Sequence, residues 1–360
     1  MTGYKVKIGD VVANYKVLAE NTKALCVPML KANAYGLGAP KVLDALEKAG
    51  VETFAFSRLE EALALESEST FWILTCYHGA EQLQTMLEKD YVFAVDSVEQ
   101  ATLAAEIAAN LGKTARVHLA VDTGFGRFGF APDKIEEMLW VCHNESIQVE
   151  GIFSHLGAAF LYKDNFADKQ LALFLQTVEE LRQSGAEIPL CHIANSSALL
   201  RDEKFHLDAV RVGSALCGRL PVSFSLPLRR VGQFVSPVVD IRLVPKGQNI
   251  GYGKVYRTKR DTKVAIVAVG SADGVQLAKD YDAFRLRDFV RYIIKILKMM
   301  FRRDNRMRVR VNGKNVAVLG RVALTHMMLD VTNVECNIGD EVTIPISPLM
   351  VADHIERIYE

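Results

Sequence analysis

Between residues 25 and 217, short and almost wholly apolar runs alternate with amphipathic stretches. The runs are ALCVPML, TFAFS, FWILTC, YVFAVD, ARVHLAVD, QVEGIFSH, PLCHIA and LDAVRVGSALCG. A run this short and apolar on both faces reads as a strand covered on both sides, as in a parallel sheet flanked by helices. The intervening segments, such as APKVLDALEKAG and SVEQATLAAEIAANLG, carry apolar residues at helical spacing and close on glycine. Eight strands, each followed by a helix, predict an α/β fold, a (β/α)8 TIM-type barrel. A doubly wound sheet stays open as an alternative, because periodicity does not report closure.

The pattern changes after residue 225. SPVVDIRLVPKG, TKVAIVAVG, RVRVNGKNVAVLGRVA and IGDEVTIPI read as strands joined by tight turns, with VNGKNV a hairpin signal. The expected organisation is a barrel over 1–225 and a β-rich domain over 226–360. An amphipathic helix is inserted in that second domain around 281–303, within the pattern YDAFRLRDFVRYIIKILKMMFRRDNR. It fits a packed helix with a solvated basic rim, or a helix that lies on a membrane surface or a partner.

Lys plus Arg balance Asp plus Glu at 43 each over 360 residues, so no global charge points to nucleic acid. The N-terminus lacks an apolar signal core, and no stretch is long and charge-free enough to span a bilayer. The six cysteines include no C-x-x-C pair, which favours free thiols over zinc or disulfides and suits a reducing cytoplasm.

In LKANAYGLG, Lys31 directly follows the first apolar run. At the C-terminal end of the first barrel strand it would face the barrel mouth, where active sites of this fold lie. Partial desolvation lowers a lysine's pKa and frees its lone pair to condense with an aldehyde. A snorkelling strand-end lysine is the plainer alternative.

The stretch around Lys31 resembles the lysine motif of the alanine racemase family, and the resemblance runs in order along nearly the whole chain. SRLEEALAL, VDTGFGRFG, GIFSHLG, HIANSSA, VRVGSALCG, GYGKVYRT, VGSADG, GRV and IGDEVTI all have counterparts there. GFGRFG also fits the dinucleotide pattern G-x-G-x-x-G, but it lies mid-chain, away from a first βαβ unit.

The resemblance implies pyridoxal 5'-phosphate as cofactor and a small amino acid as substrate. It also implies a homodimer with shared active sites and two bases acting on opposite faces of the substrate. Lys31 would hold the cofactor and act as one base; Tyr252, from the partner subunit, would be the other. Tyr35, Asn195, Ser196, Gly213 and Ser214 would hold the cofactor, the phosphate end above all. Arg211 would face the pyridine nitrogen, and His155 would bridge Arg211 and Tyr252 by hydrogen bonds. Arg127 would bind the substrate carboxylate, with Leu324 near the substrate.

Departures from the family pattern gather around the substrate. Leu37 replaces a histidine of the lysine motif. Ala120 stands where many members carry a carbamylated lysine that braces the arginine, so something else, an anion being one candidate, must set Arg127. Ser271 replaces an entrance tyrosine. Leu324 and Thr325 replace Met-Asp, and a C-terminal segment carrying a phosphate-contacting tyrosine is expected to be missing. Phe284, Leu286 and Phe289, with Arg285 or Arg287, are candidates for a substitute lid. Alanine is the default substrate; serine or a larger amino acid, and a non-catalytic cofactor-binding homologue, are the alternatives.

Overall fold

The computed structural model describes residues 1–220, 225–276, 286–301 and 306–360. The chain divides into two compact units, Lys7–Val231 and a second made of Met1–Val6 with Gly232–Glu360. The leading strand β1 (Gly3–Val6) thus belongs with the C-terminal part of the sequence.

The first unit contains β2 (Leu25–Pro28), β3 (Thr53–Phe56), β4 (Thr70–Ile73), β5 (Val92–Val95), β6 (Ala115–Ala120), β7 (Ile147–Phe153), β8 (Cys191–Asn195) and β9 (Ala209–Val212). These are the eight runs read from the sequence. They form one parallel sheet in the order β2-β9-β8-β7-β6-β5-β4-β3. A parallel bridge between Met29 and Ala55 and a 2.9 Å hydrogen bond from Leu30 N–H to the Ala55 carbonyl join the two ends. The result is a nearly closed barrel, and the doubly wound alternative falls.

The closure follows from the residues. Small and medium side chains from several strands, Val27, Ala55, Val92 and Ala209 with Trp72, fill the interior. Phe54, Phe56, Phe71 and Phe93 are fully buried large side chains of the same strands. Buried Asn14 ties the unit's end to its first helix: its amide donates to the Leu216 and Arg229 carbonyls at 2.8 Å, and its oxygen accepts the Arg229 N–H at 2.7 Å.

The second unit adds β10 (Gln233–Val244), β11 (Asn249–Ile250), β12 (Tyr256–Arg257), β13 (Thr262–Val267), β14 (Arg308–Val311), β15 (Lys314–Leu319), β16 (Met327–Asp330), β17 (Glu341–Ile344) and β18 (Arg357–Tyr359). Its eight-stranded sheet runs β13-β16-β15-β14-β17-β10-β1-β18, with β11 and β12 paired separately. The expected hairpin joins β14 to β15 through Asn312 and Gly313, both at positive φ (48° and 76°), as a two-residue I′ turn requires.

The inserted helix is seen over Leu286–Phe301. Among the described residues, its apolar side chains Phe289, Ile293, Ile296, Leu297 and Met300 are exposed. Of the lid candidates, Phe284 and Arg285 lie outside the described residues, as does the side chain of Arg287. No described helix is long and apolar enough to cross a membrane. All six cysteines are free, and all but the partly buried Cys142 are buried.

Candidate active site

Lys31 follows β2 at its C-terminal end and opens a single helical turn, Lys31–Tyr35. That turn is left-handed. Ala32, Asn33 and Ala34 have φ/ψ of 51°/51°, 54°/52° and 51°/51°, and Tyr35 has φ 56°. None of these residues is glycine. The left-handed conformation costs roughly 1–2 kcal/mol per residue for an L-amino acid, so the surroundings must impose it. Ala34 N–H reaches the Leu30 carbonyl at 2.8 Å, and Gly36 N–H reaches that of Ala32 at 2.9 Å. The Asn33 side-chain oxygen accepts from Ala39 N–H at 2.6 Å. Glu61 accepts from Ala32 N–H at 2.7 Å through Oε1, and from Ser57 and Arg58 N–H at 3.2 and 3.1 Å through Oε2.

The turn leaves both Lys31 and Tyr35 lining one cavity of about 460 Å3, within the roughly 300–1,000 Å3 of small-molecule sites. Arg127, His155, Asn195, Ser196, Arg211, Gly213 and Ser214 line the same cavity. Nine of the residues singled out in the sequence are therefore brought together. Tyr252 and Leu324 are not among them; both belong to the second unit, and both are 71% exposed. Tyr252 projects from a short 3-10 turn between Gly251 and Gly253, whose φ angles are 73° and 70°. The residues flanking Leu324 and those around Ser271 are tied together: Ser271 N–H donates to the Ala323 carbonyl and Ala272 N–H to the Leu324 carbonyl, each at 3.0 Å.

At one side of the cavity the backbone is laid open. Ser196 Oγ accepts the Gly213 and Ala215 N–H groups at 3.0 and 3.4 Å, leaving its own proton to donate. A Cβ on Gly213 would lie 2.1 Å from the Tyr35 hydroxyl, so only glycine lets tyrosine and backbone converge there. Asn195 uses its oxygen to cap the helix Ser196–Leu199, accepting from Ser197 and Ala198 N–H at 3.0 and 3.1 Å. Serine hydroxyls and a phenol converging at a glycine form an anion cradle.

The charges agree. Lys31, Arg58, Arg127 and Arg211 line the cavity, with no carboxylate among the lining residues. Burial, and next the charge of Arg127, hold the Lys31 amine below its ordinary pKa, against an opposing pull from Glu61. Burial pushes the Tyr35 phenol well up, keeping it a neutral donor. Arg211 is wholly buried and pushed down to about 10 by burial and Arg127, so it stays charged at neutral pH. This donor set suits a compound carrying a phosphate at one end and an aldehyde near Lys31. The pyridoxal phosphate implied by the resemblance is such a compound.

One expected contact is replaced. Arg211 does not hydrogen-bond to His155. Its guanidinium donates to the Ser154 carbonyl at 2.9 Å, to the His192 carbonyl at 3.3 Å and to His192 Nδ1. Its donors are thus taken by His192 on the neighbouring strand β8 and by the carbonyl that follows β7. Because arginine can only donate, His192 Nδ1 must be an acceptor, and its proton sits on Nε2. That proton points at His118 Nδ1, 3.1 Å away. Burial drives both rings' pKa values down, His118 to about 3. His155 is also held neutral, at about 3, by burial and by Arg211. Its ring packs edge-on against Phe125, centroids 4.8 Å apart. Glu61, His192 and His118 were missed as site residues. Glu61 and His192 lie inside the motifs SRLEEALAL and HIANSSA, and the adjacent partners of Lys31 and Arg211 were the available signal.

A barrel whose first strand ends in a desolvated amine, facing a cationic cavity and an anion cradle, defines an enzyme class that works covalently on small anionic molecules. Residues 6–221 match the family model "Alanine racemase, N-terminal domain", and residues 231–357 match "Alanine racemase, C-terminal domain". The chain is 34% identical over 358 residues to alanine racemase 2 of Caldanaerobacter subterraneus subsp. tengcongensis, covering 95% of this chain and 85% of that protein. It is 32% identical over 337 residues to the alanine racemase of Methanococcus maripaludis, covering 90% and 83%. The structure of the Bartonella henselae alanine racemase, described with covalently bound pyridoxal phosphate, matches with a TM-score of 0.82 at 25% identity over 100% of this chain and 99% of that one. The Clostridium difficile 630 alanine racemase shares the fold, with a TM-score of 0.87 at 24% identity, over 100% and 95%. The chain belongs to the alanine racemase family.

Proposed function

We propose that the protein is a pyridoxal-phosphate-dependent racemase that interconverts L- and D-alanine. The observation that carries this reading is the desolvated Lys31 amine sharing one cavity with the Ser196–Gly213 cradle, Arg127 and Arg211. Lys31 would attach the cofactor through Nζ. Tyr35, Ser196 and Ser214, gathered at Gly213, would hold its phosphate, and Arg211 would face the ring nitrogen. When bound, the cofactor supplies a conjugated ring system that stabilises the charge left when the substrate's Cα proton departs.

The protein's own groups do the rest. Arg127 binds the substrate carboxylate. The lowered pKa of Lys31 eases release of its proton, so Nζ can take a proton from the substrate and return one. Arg211 donates only, so it offers the ring nitrogen no proton-accepting partner, and charge is less deeply stabilised than beside a carboxylate. A shallow sink favours prompt reprotonation at Cα, which is what racemisation needs. The opposite face is served by the partner subunit's Tyr252. The working unit is a homodimer with two composite sites, located in the cytoplasm.

The test is L-alanine in deuterated buffer, followed by NMR for Cα-proton exchange and by chiral chromatography for the D-isomer. Both should occur with the parent and vanish in Lys31→Ala. Mixed Lys31→Ala and Tyr252→Phe chains should regain activity, because each hybrid dimer contains one site with both bases intact. Absence of exchange with any L-amino acid in cofactor-loaded protein would remove the racemase reading. Inactive hybrids with verified subunit exchange would remove the shared site.

A further inference from the structure

Arg127 is placed without any polar brace. The loop that carries it leaves β6 at Ala120 and returns through a parallel bridge between Val121 and Phe130. Asp122 gathers the loop, its carboxylate accepting the N–H groups of Gly124, Phe125 and Gly126 at 2.8–3.1 Å. Among the described residues, Arg127 itself makes no hydrogen bond and no ion pair. Its guanidinium carbon instead lies 4.7 Å from the Phe125 ring centroid and 5.5 Å from that of Phe128. Both are within the roughly 6 Å at which an aromatic face attracts a cation.

Each ring has a contact of its own. Phe125 stands edge-on to His155 at 4.8 Å. Phe128 contacts Tyr77 at 5.6 Å and packs on the cluster of Cys76, Ala94, Ala120 and Phe153. The methyl group of Ala120, 2% exposed, is part of the floor on which Phe128 rests. We propose that Phe125 and Phe128 form an aromatic clamp that positions the Arg127 guanidinium for the substrate carboxylate. Ring faces hold the cation without using its N–H donors, so all five remain for the ligand. A carboxylate or bound anion would both occupy donors and cancel charge. The proposal rests on Arg127 as the carboxylate anchor.

The experiment uses cofactor-loaded enzyme and two readouts: the KM and kcat for L-alanine, and competitive inhibition by propionate, a carboxylate with no amine. Phe125→Leu combined with Phe128→Leu should weaken propionate about three- to thirty-fold, the range expected for loss of one or two cation–π contacts. KM should rise by a similar factor while kcat stays within about two-fold, as for an interaction made equally before and during the reaction. The Phe→Tyr pair retains the ring faces and should restore both constants to within about two-fold. Unchanged propionate binding in the leucine pair, or failure of the tyrosine pair to rescue at full cofactor occupancy, overturns the clamp. Arg127→Met separates the layers: if it leaves propionate binding intact, the anchor reading falls and the clamp with it. If it weakens propionate while the leucine pair does not, the clamp alone falls.

Discussion

Replacing Glu61 with glutamine tests how the left-handed turn behind Lys31 is held. The carboxylate accepts three backbone N–H groups, one from Ala32 at 2.7 Å and two from Ser57 and Arg58 at 3.2 and 3.1 Å. Glutamine has one acceptor oxygen, so whichever way the amide lies, an NH2 faces at least one of those donors. A hydrogen bond to a charged group contributes roughly 1.5–3 kcal/mol, so Glu61→Gln should cost about 2 kcal/mol. For a unit of this size that lowers the barrel's melting temperature by about 4–8 °C. The assay is thermal unfolding of the cofactor-free chain. A second substitution distinguishes strain from simple bond loss. Ala32→Gly accepts its positive φ without penalty, relieving about 1–2 kcal/mol against an entropy cost of about 0.5–1 kcal/mol. It should therefore stabilise the parent slightly and recover part of the Glu61→Gln loss. If Glu61→Gln melts within 1 °C of the parent, or if Ala32→Gly destabilises, the turn is not strained in the way its angles imply.

Two further outcomes follow from features outside that turn. His118 and His155 are each held neutral, at about 3, against an unfolded value near 6.5. Below pH 6.5 the unfolded chain takes up protons that the folded one refuses, so stability falls as pH drops from 6.5 towards 3. The slope is up to about 1.4 kcal/mol per pH unit per histidine. Urea midpoints of the cofactor-free protein should show His155→Gln losing distinctly less between pH 7 and 5 than the parent, and equal losses would refute the assignment. Ile293→Glu with Leu297→Glu, on the exposed apolar side of the helix Leu286–Phe301, should reduce concentration-dependent light scattering without moving the barrel's melting temperature. Unchanged scattering would mean that this face mediates no self-association.

The barrel was legible because its strands are buried on both faces. Phe71, Trp72 and Ile73, or Val92 through Val95, leave no polar residue to confuse the period. The lysine was legible because a charge closing such a run is anomalous. The partners of β1 were not: whether GYKV joins β10 and β18 or the barrel depends on contacts more than 200 residues away. The left-handed turn was equally hidden, since Ala-Asn-Ala-Tyr favours right-handed helix in isolation and is overruled by Glu61, 29 residues on. The Arg211–His192–His118 chain draws on three strands, and no spacing along the sequence encodes it. Phe125 and Phe128 stood in a quoted motif, yet their role emerges only once Arg127 is seen to lack an acid.

The six unpaired cysteines have a practical consequence. Burial pushes Cys26 and Cys217 up to about 12, and Cys142 and Cys191 to about 11. Near neutral pH the native chain therefore presents almost no thiolate, which is the species that reacts with disulfide reagents and alkylators. The unfolded chain presents all six at ordinary acidity. Labelling by a thiol reagent thus becomes a clock for opening, and it reads the barrel almost alone: five of the six lie between Lys7 and Val231, and Cys336 by itself reports on the second unit.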